Sequence, residues 1–543
     1  MNTLKSSLPK VLLSLITISC IETKTEEQVN FDFYSSQLFE DVQLSTIFSD
    51  AKTFTDCVPK KPLADINTSY ILQKKQGNVN LEAFVSEYFE MPDFSEGWLA
   101  ADTNHTITEH ILKSWSALMA KHDHYSPFSS LIPLPHDYPT PGGKFREMHY
   151  WHSYFILEGL LLSGQQESAK KCVDNFTFLI DSIGFIPQGN RTYYLGRSNP
   201  PFFAVMVELL AAKDRDLYSQ YLPHLVKEYD FWMDGSEKLS HKKRAYRRVV
   251  RMSDGSILNR YWDDLDGPRP ETFSLDFKLG AMKSETTDKL YKNLRAASES
   301  GWNNSSRWLA DHEHLSTIRT TDIIPVDLNS LLYFLELKIA QGYNWKGELR
   351  QTKVYLEKAN ARKEALIKYL WDDQDLFFID YDFRLNKKTG VLSLAGAFPL
   401  YFKIASKTQA KPVLDRLKAQ FLKTGGFRTT LKETGQPWDA PRGFAPLQWI
   451  AINAFYNYGE GKLGNEAAKR WLGLNKAVYH HTGKTMEKYD VTDSAFYLQD
   501  NDHISENGFS WTHGVFLALQ NILTEEQMIE EMRVTNESTH HRK

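Results

Sequence analysis

Apolar residues recur at helical spacing in segment after segment of this chain. The pattern holds over Tyr154 to Leu162, Phe202 to Ala212, Leu217 to Met233, Leu328 to Ala340, Lys353 to Trp371 and Pro446 to Tyr458. Runs that alternate apolar and polar residues with the period of a strand are few, so the body reads as all-α. Between the helical stretches lie loops dense in Gly, Pro, Arg, Trp and acidic residues, at 134–152, 184–201, 254–272, 299–308, 424–446 and 484–511. Loops carried on a rigid helical scaffold are where binding chemistry usually sits. There is no fixed-period repeat and no break from 65 to 525, which predicts one large helical unit. Residues 20–64 are more polar and predict a tether and N-terminal extension, and residues 526–543 form a charged tail.

Composition narrows the class. The 543 residues are 42% hydrophobic and 13% aromatic, ample for a large core and unlike a disordered chain. A net charge of −4 without a long basic run gives no reason to expect nucleic-acid binding. The 13 Trp and 26 Tyr suit the flat C–H faces of sugars, although large helical cores also bury many aromatics.

At the N-terminus, Lys5 and Lys10 flank the start of a short apolar run, Val11 to Ile18, followed by Ser19-Cys20. This is the make-up of a secretory signal over 1–19, too short to span a bilayer. Cys after a small residue resembles a bacterial lipoprotein signal, with Cys20 as the lipidated residue. The expectation is an exported periplasmic or cell-envelope protein that meets the membrane only through that lipid. Cys57 and Cys172 remain, and could pair in an oxidising compartment. The close His pairs form no zinc-ligand pattern, so no metal or other cofactor is expected.

Two segments carry a family resemblance. Residues 141–154 read Pro-Gly-Gly-Lys-Phe-Arg-Glu-Met-His-Tyr-Trp-His-Ser-Tyr, and residues 436–446 read Gln-Pro-Trp-Asp-Ala-Pro-Arg-Gly-Phe-Ala-Pro. They resemble the two trehalase signatures, Pro-Gly-Gly-Arg-Phe-x-Glu-x-Tyr-x-Trp-Asp-x-Tyr and Gln-Gln-Trp-Asp-x-Pro-x-Gly-Trp-x-Pro. The similarity extends over about 134 to 515. It implies an (α/α)6 barrel, a six-hairpin toroid with its site in the loops at one end. It also implies inverting hydrolysis of α,α-trehalose to glucose by a monomer, with trehalose or a related small sugar as the partner.

Inversion needs a protonated carboxyl for the leaving oxygen and a carboxylate that activates water. By the resemblance the base is Glu487, in Met486-Glu487-Lys488-Tyr489-Asp490. The segment that holds the family's acid here reads Ser300-Gly301-Trp302-Asn303-Asn304-Ser305-Ser306-Arg307-Trp308, so Asn303 takes the acid's position. An amide has no acidic proton to give. The substrate contacts implied by matching positions are Lys144, Trp151, His152, Gln188, Arg197, Ser198, Asn199, Arg269, Pro270, Glu271, Gly301 and Asp502. Guanidinium forks and carboxylates suit a dense hydroxyl pattern, and equally suit salt bridges that brace loops. The sequence departs from the family pattern at more than one point. Lys144 replaces an Arg, His149 a Tyr, His152 an Asp and Gln188 an Asn, and the lid around Asp493 to His503 lacks the usual glycines. Three functions follow: trehalose hydrolysis with water or another acid such as Glu299 or Asp263, sugar binding without catalysis, or hydrolysis of another glycoside.

Overall fold

The structure, a computed structural model, describes residues 33–77, 79–93, 99–121, 128–282, 287–493 and 508–540, the side chains from 529 on excepted. The signal segment, Cys20 and Asp502 lie outside the described residues.

Four short helices come first: α1 (Gln37–Leu44), α2 (Ala51–Thr55), α3 (Leu63–Lys75) and α4 (Leu81–Tyr88). Then follow α5 (Ile107–Leu118), α6 (Tyr150–Leu162), α7 (Gln166–Ile183), α8 (Phe203–Ala211) and α9 (Arg215–Met233). Next are α10 (Phe273–Ala281), α11 (Thr287–Glu299), α12 (Val326–Trp345), α13 (Leu349–Leu370), α14 (Phe398–Tyr401) and α15 (Lys407–Arg416). The last are α16 (Ala445–Asn457), α17 (Gly461–Thr482) and α18 (Ser510–His540).

Six of these close a ring. α6 packs on α8, α8 on α12, α12 on α14, α14 on α16, α16 on α18, and α18 returns to α6. The alternate helices α5, α7, α9, α13, α15 and α17 form an outer layer. The sequence distinguishes the layers: α16 is apolar almost all round and buries 10 of its 13 residues, whereas α13 buries 7 of 22 along one stripe. This is the (α/α)6 barrel. Local signals set the helix ends, as in the Thr106/Glu109 capping box that opens α5 and the left-handed Gly184 that stops α7. Short turns join α6, α8, α12, α14 and α16 to the outer helices that follow them, so the long segments before the inner helices gather at one end. Within them are antiparallel pieces of two or three strands.

The ring closes tightly where α6 meets α18. A Cβ on Gly514 would lie 1.8 Å from the Phe155 carbonyl oxygen, and one on Gly159 would lie 2.6 Å from the Gly514 Cα. Only glycine permits backbones this close.

The tether expectation is corrected from residue 33 onward. Leu38, Phe39, Val42, Phe54, Phe84 and Phe89 form a second core with Phe273 of α10. Phe39 packs on Phe54 at 5.6 Å and edge-on to Phe273 at 5.4 Å. Thr55 donates to the Pro270 carbonyl (2.9 Å) and Lys52 Nζ to Glu147 (2.9 Å), so the segment is clamped to the barrel loops. Cys57 and Cys172 are separate buried thiols, each pushed up to about 12 by burial.

One buried carboxyl makes stability pH-dependent. Burial pushes Glu228 up to about 8, although Tyr150 hydrogen-bonds to it. Between its ordinary value of 4.5 and about 8 the unfolded chain loses this proton while the folded chain keeps it. Stability therefore falls as pH rises through that window. Glu228→Gln is expected to raise stability at pH 8 by a few kcal/mol relative to wild type, with the difference vanishing near pH 4; paired urea titrations at the two pH values measure it.

Candidate active site

The end of the barrel that carries the long loops holds a cavity of about 100 Å³. Its wall is formed by Phe145, His149, Trp151, His152, Gln188, Asn199, Gly301, Asn303, Trp438, Glu487, Phe509 and Trp511. Of the residues expected at the site, Trp151, His152, Gln188, Asn199, Gly301, Asn303 and Glu487 therefore come together here.

Asn303 sits in a rigid loop. Asp439 accepts from Ser305 Oγ (3.0 Å), Ser306 N (2.8 Å) and Ser306 Oγ (2.7 Å). Trp438 N donates to the Asn304 carbonyl (3.1 Å), and the Trp302 and Trp438 rings stack at 5.7 Å. The second signature thus fastens the Asn303 loop. Gly301 has φ +73°, and a Cβ there would meet the Trp151 indole at 2.8 Å. Behind the loop, Arg307 is buried between two carboxylates, Asp327 at 2.7 Å and Asp380 at 2.6 Å.

Glu487 precedes the strand Lys488–Asp490, which pairs antiparallel with Arg442–Phe444 of the second signature. Trp511 Nε1 donates to the Glu487 carbonyl (3.0 Å). The carboxylate accepts from Lys488 Nζ at 2.5 Å and is partly exposed.

On another wall, His152 stacks on Trp511 at 4.4 Å with the rings 5° from parallel. Burial, and then neighbouring His149, hold its pKa well below the ordinary histidine value, so the ring is neutral at pH 7. His149 Nε2 meets Glu147 at 2.8 Å. Burial works against the Glu147 charge, but Lys52, His149 and Arg191 together outweigh it and hold that carboxyl well below the usual range. Four buried polar atoms of wall residues have no partner among the described residues: Nδ1 of His149, Nδ1 of His152, Nε1 of Trp151 and Oδ1 of Asn199. Unspent donors and acceptors beside indole faces are what a polyhydroxylated ligand requires.

The other expected contacts among the described residues do not line this cavity. Lys144 pairs with Asp50 of the N-terminal segment. Arg197 is fully buried; its Nε donates to Gln188 Oε1 (2.5 Å), and its other nitrogens serve Asp263 (3.1 Å) and Glu271. Arg269 is spent on Asp276 (2.6 Å) and on Ser298 Oγ (2.8 Å). Ser198 is buried and donates its N–H to Glu299 (2.9 Å). Arg197, Arg269 and Ser198 are buried off the wall, and Pro270 lines a different cavity. Neither substitute acid reaches the cavity. Glu299 accepts from Arg248 Nη2 (2.6 Å), Ser198 N and Trp262 N (2.7 Å). Asp263 lies between Arg197 and Arg295, each at 3.1 Å. The wall residues absent from the expected contacts, Phe145, His149, Trp438, Phe509 and Trp511, all lie in the signature segments or in the Gly508-Phe509-Ser510-Trp511 run. Among the described residues, no three His, Cys, Asp or Glu are placed to hold a metal.

The Trehalase family model matches residues 45–523. The chain belongs to the trehalase family. Among solved structures it is similar to the neutral trehalase Nth1 of Saccharomyces cerevisiae, with 22% identity and a TM-score of 0.60 over 91% of this chain and 93% of that one. It is also similar to a mannosylglycerate hydrolase of Thermus thermophilus, with 15% identity and a TM-score of 0.48 over 70% of this chain and 96% of that one. As a trehalase-family protein it is a glycoside hydrolase by descent.

Proposed function

We propose that this chain binds α,α-trehalose or a closely related glucoside and hydrolyses it slowly, because activation of water is retained and protonation of the leaving oxygen is lost. The observation that carries the reading is the wall composition. Among the described residues Glu487 is the one carboxylate on it, Asn303 shares the cavity, and Glu299 and Asp263 are engaged by arginines behind it. A general acid contributes about 10²–10⁴-fold to such a step. The leaving glucose would depart as an alkoxide, unless water supplies the proton.

A glycosyl fluoride separates the two halves of the mechanism, since fluoride leaves without a proton. Purified protein is expected to release fluoride from α-glucosyl fluoride far faster than glucose from trehalose, and Glu487→Gln to abolish both. Trehalose turnover as fast as fluoride release would sink the idea. A second reading, sugar binding without any turnover, is favoured by the close Lys488–Glu487 contact, which ties up the base. In that case neither substrate reacts, while calorimetry still records trehalose binding.

A further inference from the structure

We propose that a second cavity, which shares no wall residue with the first, is a binding site for a neutral saccharide of one or two rings. Its volume is about 390 Å³, within the ~300–1,000 Å³ usual for small-molecule sites. It lies where the N-terminal segment meets the barrel loops, and Pro270, expected at the first cavity, is part of its wall.

The lining chemistry selects the ligand. Phe273 and Phe277 of α10 stack at 5.7 Å with their planes 18° apart, and Tyr34 adds a third aromatic group. These surfaces suit the C–H face of a pyranose. Glu40 of α1 also lines the cavity, and its carboxylate makes no hydrogen bond or ion pair among the described residues. Arg295 of α11 is already engaged. Its Nη1 donates to the Pro268 carbonyl (3.1 Å), and its Nε lies 3.1 Å from Asp263. An anionic ligand would face the uncompensated Glu40. A cationic one would face the Arg295 guanidinium with Glu40 as its only unspent counter-charge among the described residues. A neutral ligand with an apolar face and a rim of hydroxyls meets neither conflict, and it can donate to Glu40.

The same arginine links the two cavities. Arg295 contacts Asp263, Asp263 contacts Arg197, and Arg197 holds Gln188 on the wall of the first cavity.

Calorimetric titration of the full chain with trehalose, and separately with glucose, tests the site. Two sets of sites are expected. Ser35→Trp places an indole in the second cavity and should remove one set, leaving the thermal midpoint and the Glu487-dependent set in place. Glu40→Gln should weaken the same set about tenfold, and it remains informative if Ser35→Trp misfolds. Glu487→Ala perturbs only the other set, so failure of the catalytic reading and failure of this one are distinguishable. A single set of sites that neither Ser35→Trp nor Glu40→Gln affects would overturn the proposal. So would choline binding that Glu40→Gln abolishes, which would make the site one for cations.

Discussion

Asn303→Asp is expected to raise trehalose hydrolysis by about 10²–10⁴-fold, the range that a positioned general acid supplies. The substitution is nearly isosteric, and the loop that bears it is held independently of the side chain by Asp439, by the Trp438 N–H and by the Trp302–Trp438 stack. The new carboxyl would therefore stand where the amide stands now, on the same wall as Glu487. It has to be protonated to act, so the gained activity should show a descending alkaline limb that the parent protein lacks. Glucose release measured across pH, for Asn303→Asp alone and combined with Glu487→Gln, decides the matter. A gain that survives loss of Glu487 would mean that the reaction does not use this pair. A gain below tenfold would place the deficit elsewhere on the wall, with His152 the first residue to revert to Asp.

Arg307→Met should cost about 3–5 kcal/mol of stability, the penalty for stripping the partner from a buried ion pair. Arg307 is 1% exposed, and Asp327 and Asp380 are as deeply buried. Its guanidinium makes four hydrogen bonds to the two carboxylates, at 2.6–3.0 Å. Asp380 is caught between opposing effects. Burial pushes its pKa up and Arg307 pulls it down, with the balance above its ordinary value. Removing the guanidinium leaves two like charges in a dry interior, and protonation is their remaining relief. The variant should unfold at lower urea than wild type, with the gap narrowing in acid. Adding Asp327→Asn and Asp380→Asn should recover part of the loss. A shift worth less than about 1 kcal/mol, the value of a surface pair, would show that water reaches these groups.

Much of the barrel was legible because its helices are long enough for a 3.6-residue period to register. Tyr154 to Leu162 and Leu217 to Met233 lie within α6 and α9. The N-terminal extension escaped for the opposite reason. α1 and α2 have 8 and 5 residues, too few for periodicity, and their apolar side chains find partners only in three dimensions, as Phe39 does on Phe273. At the site, motif resemblance located the right segments but not which face of each segment looks inward. Arg197 and Arg269 are indistinguishable from sugar-binding arginines until Asp263, Glu271 and Asp276 are seen to occupy them. Those pairings follow from tertiary packing rather than local spacing. Asn303 was legible directly, since the chemistry of an amide does not depend on the fold.

The contact between α6 and α18 also governs how the barrel is made. These are the first and last inner helices to leave the ribosome, and Gly159 and Gly514 form the seam between them. Until α18 emerges, α6 has one flank uncovered, and the ring stands open along an apolar edge. Domains tend to assemble as they are synthesised, and contacts between distant segments form slowly. The nascent barrel is thus an incomplete circle whose exposure to aggregation lasts until its final segment is translated. Seam glycines make that last step a close docking of backbones, which the stack of His152 on Trp511 must join in register.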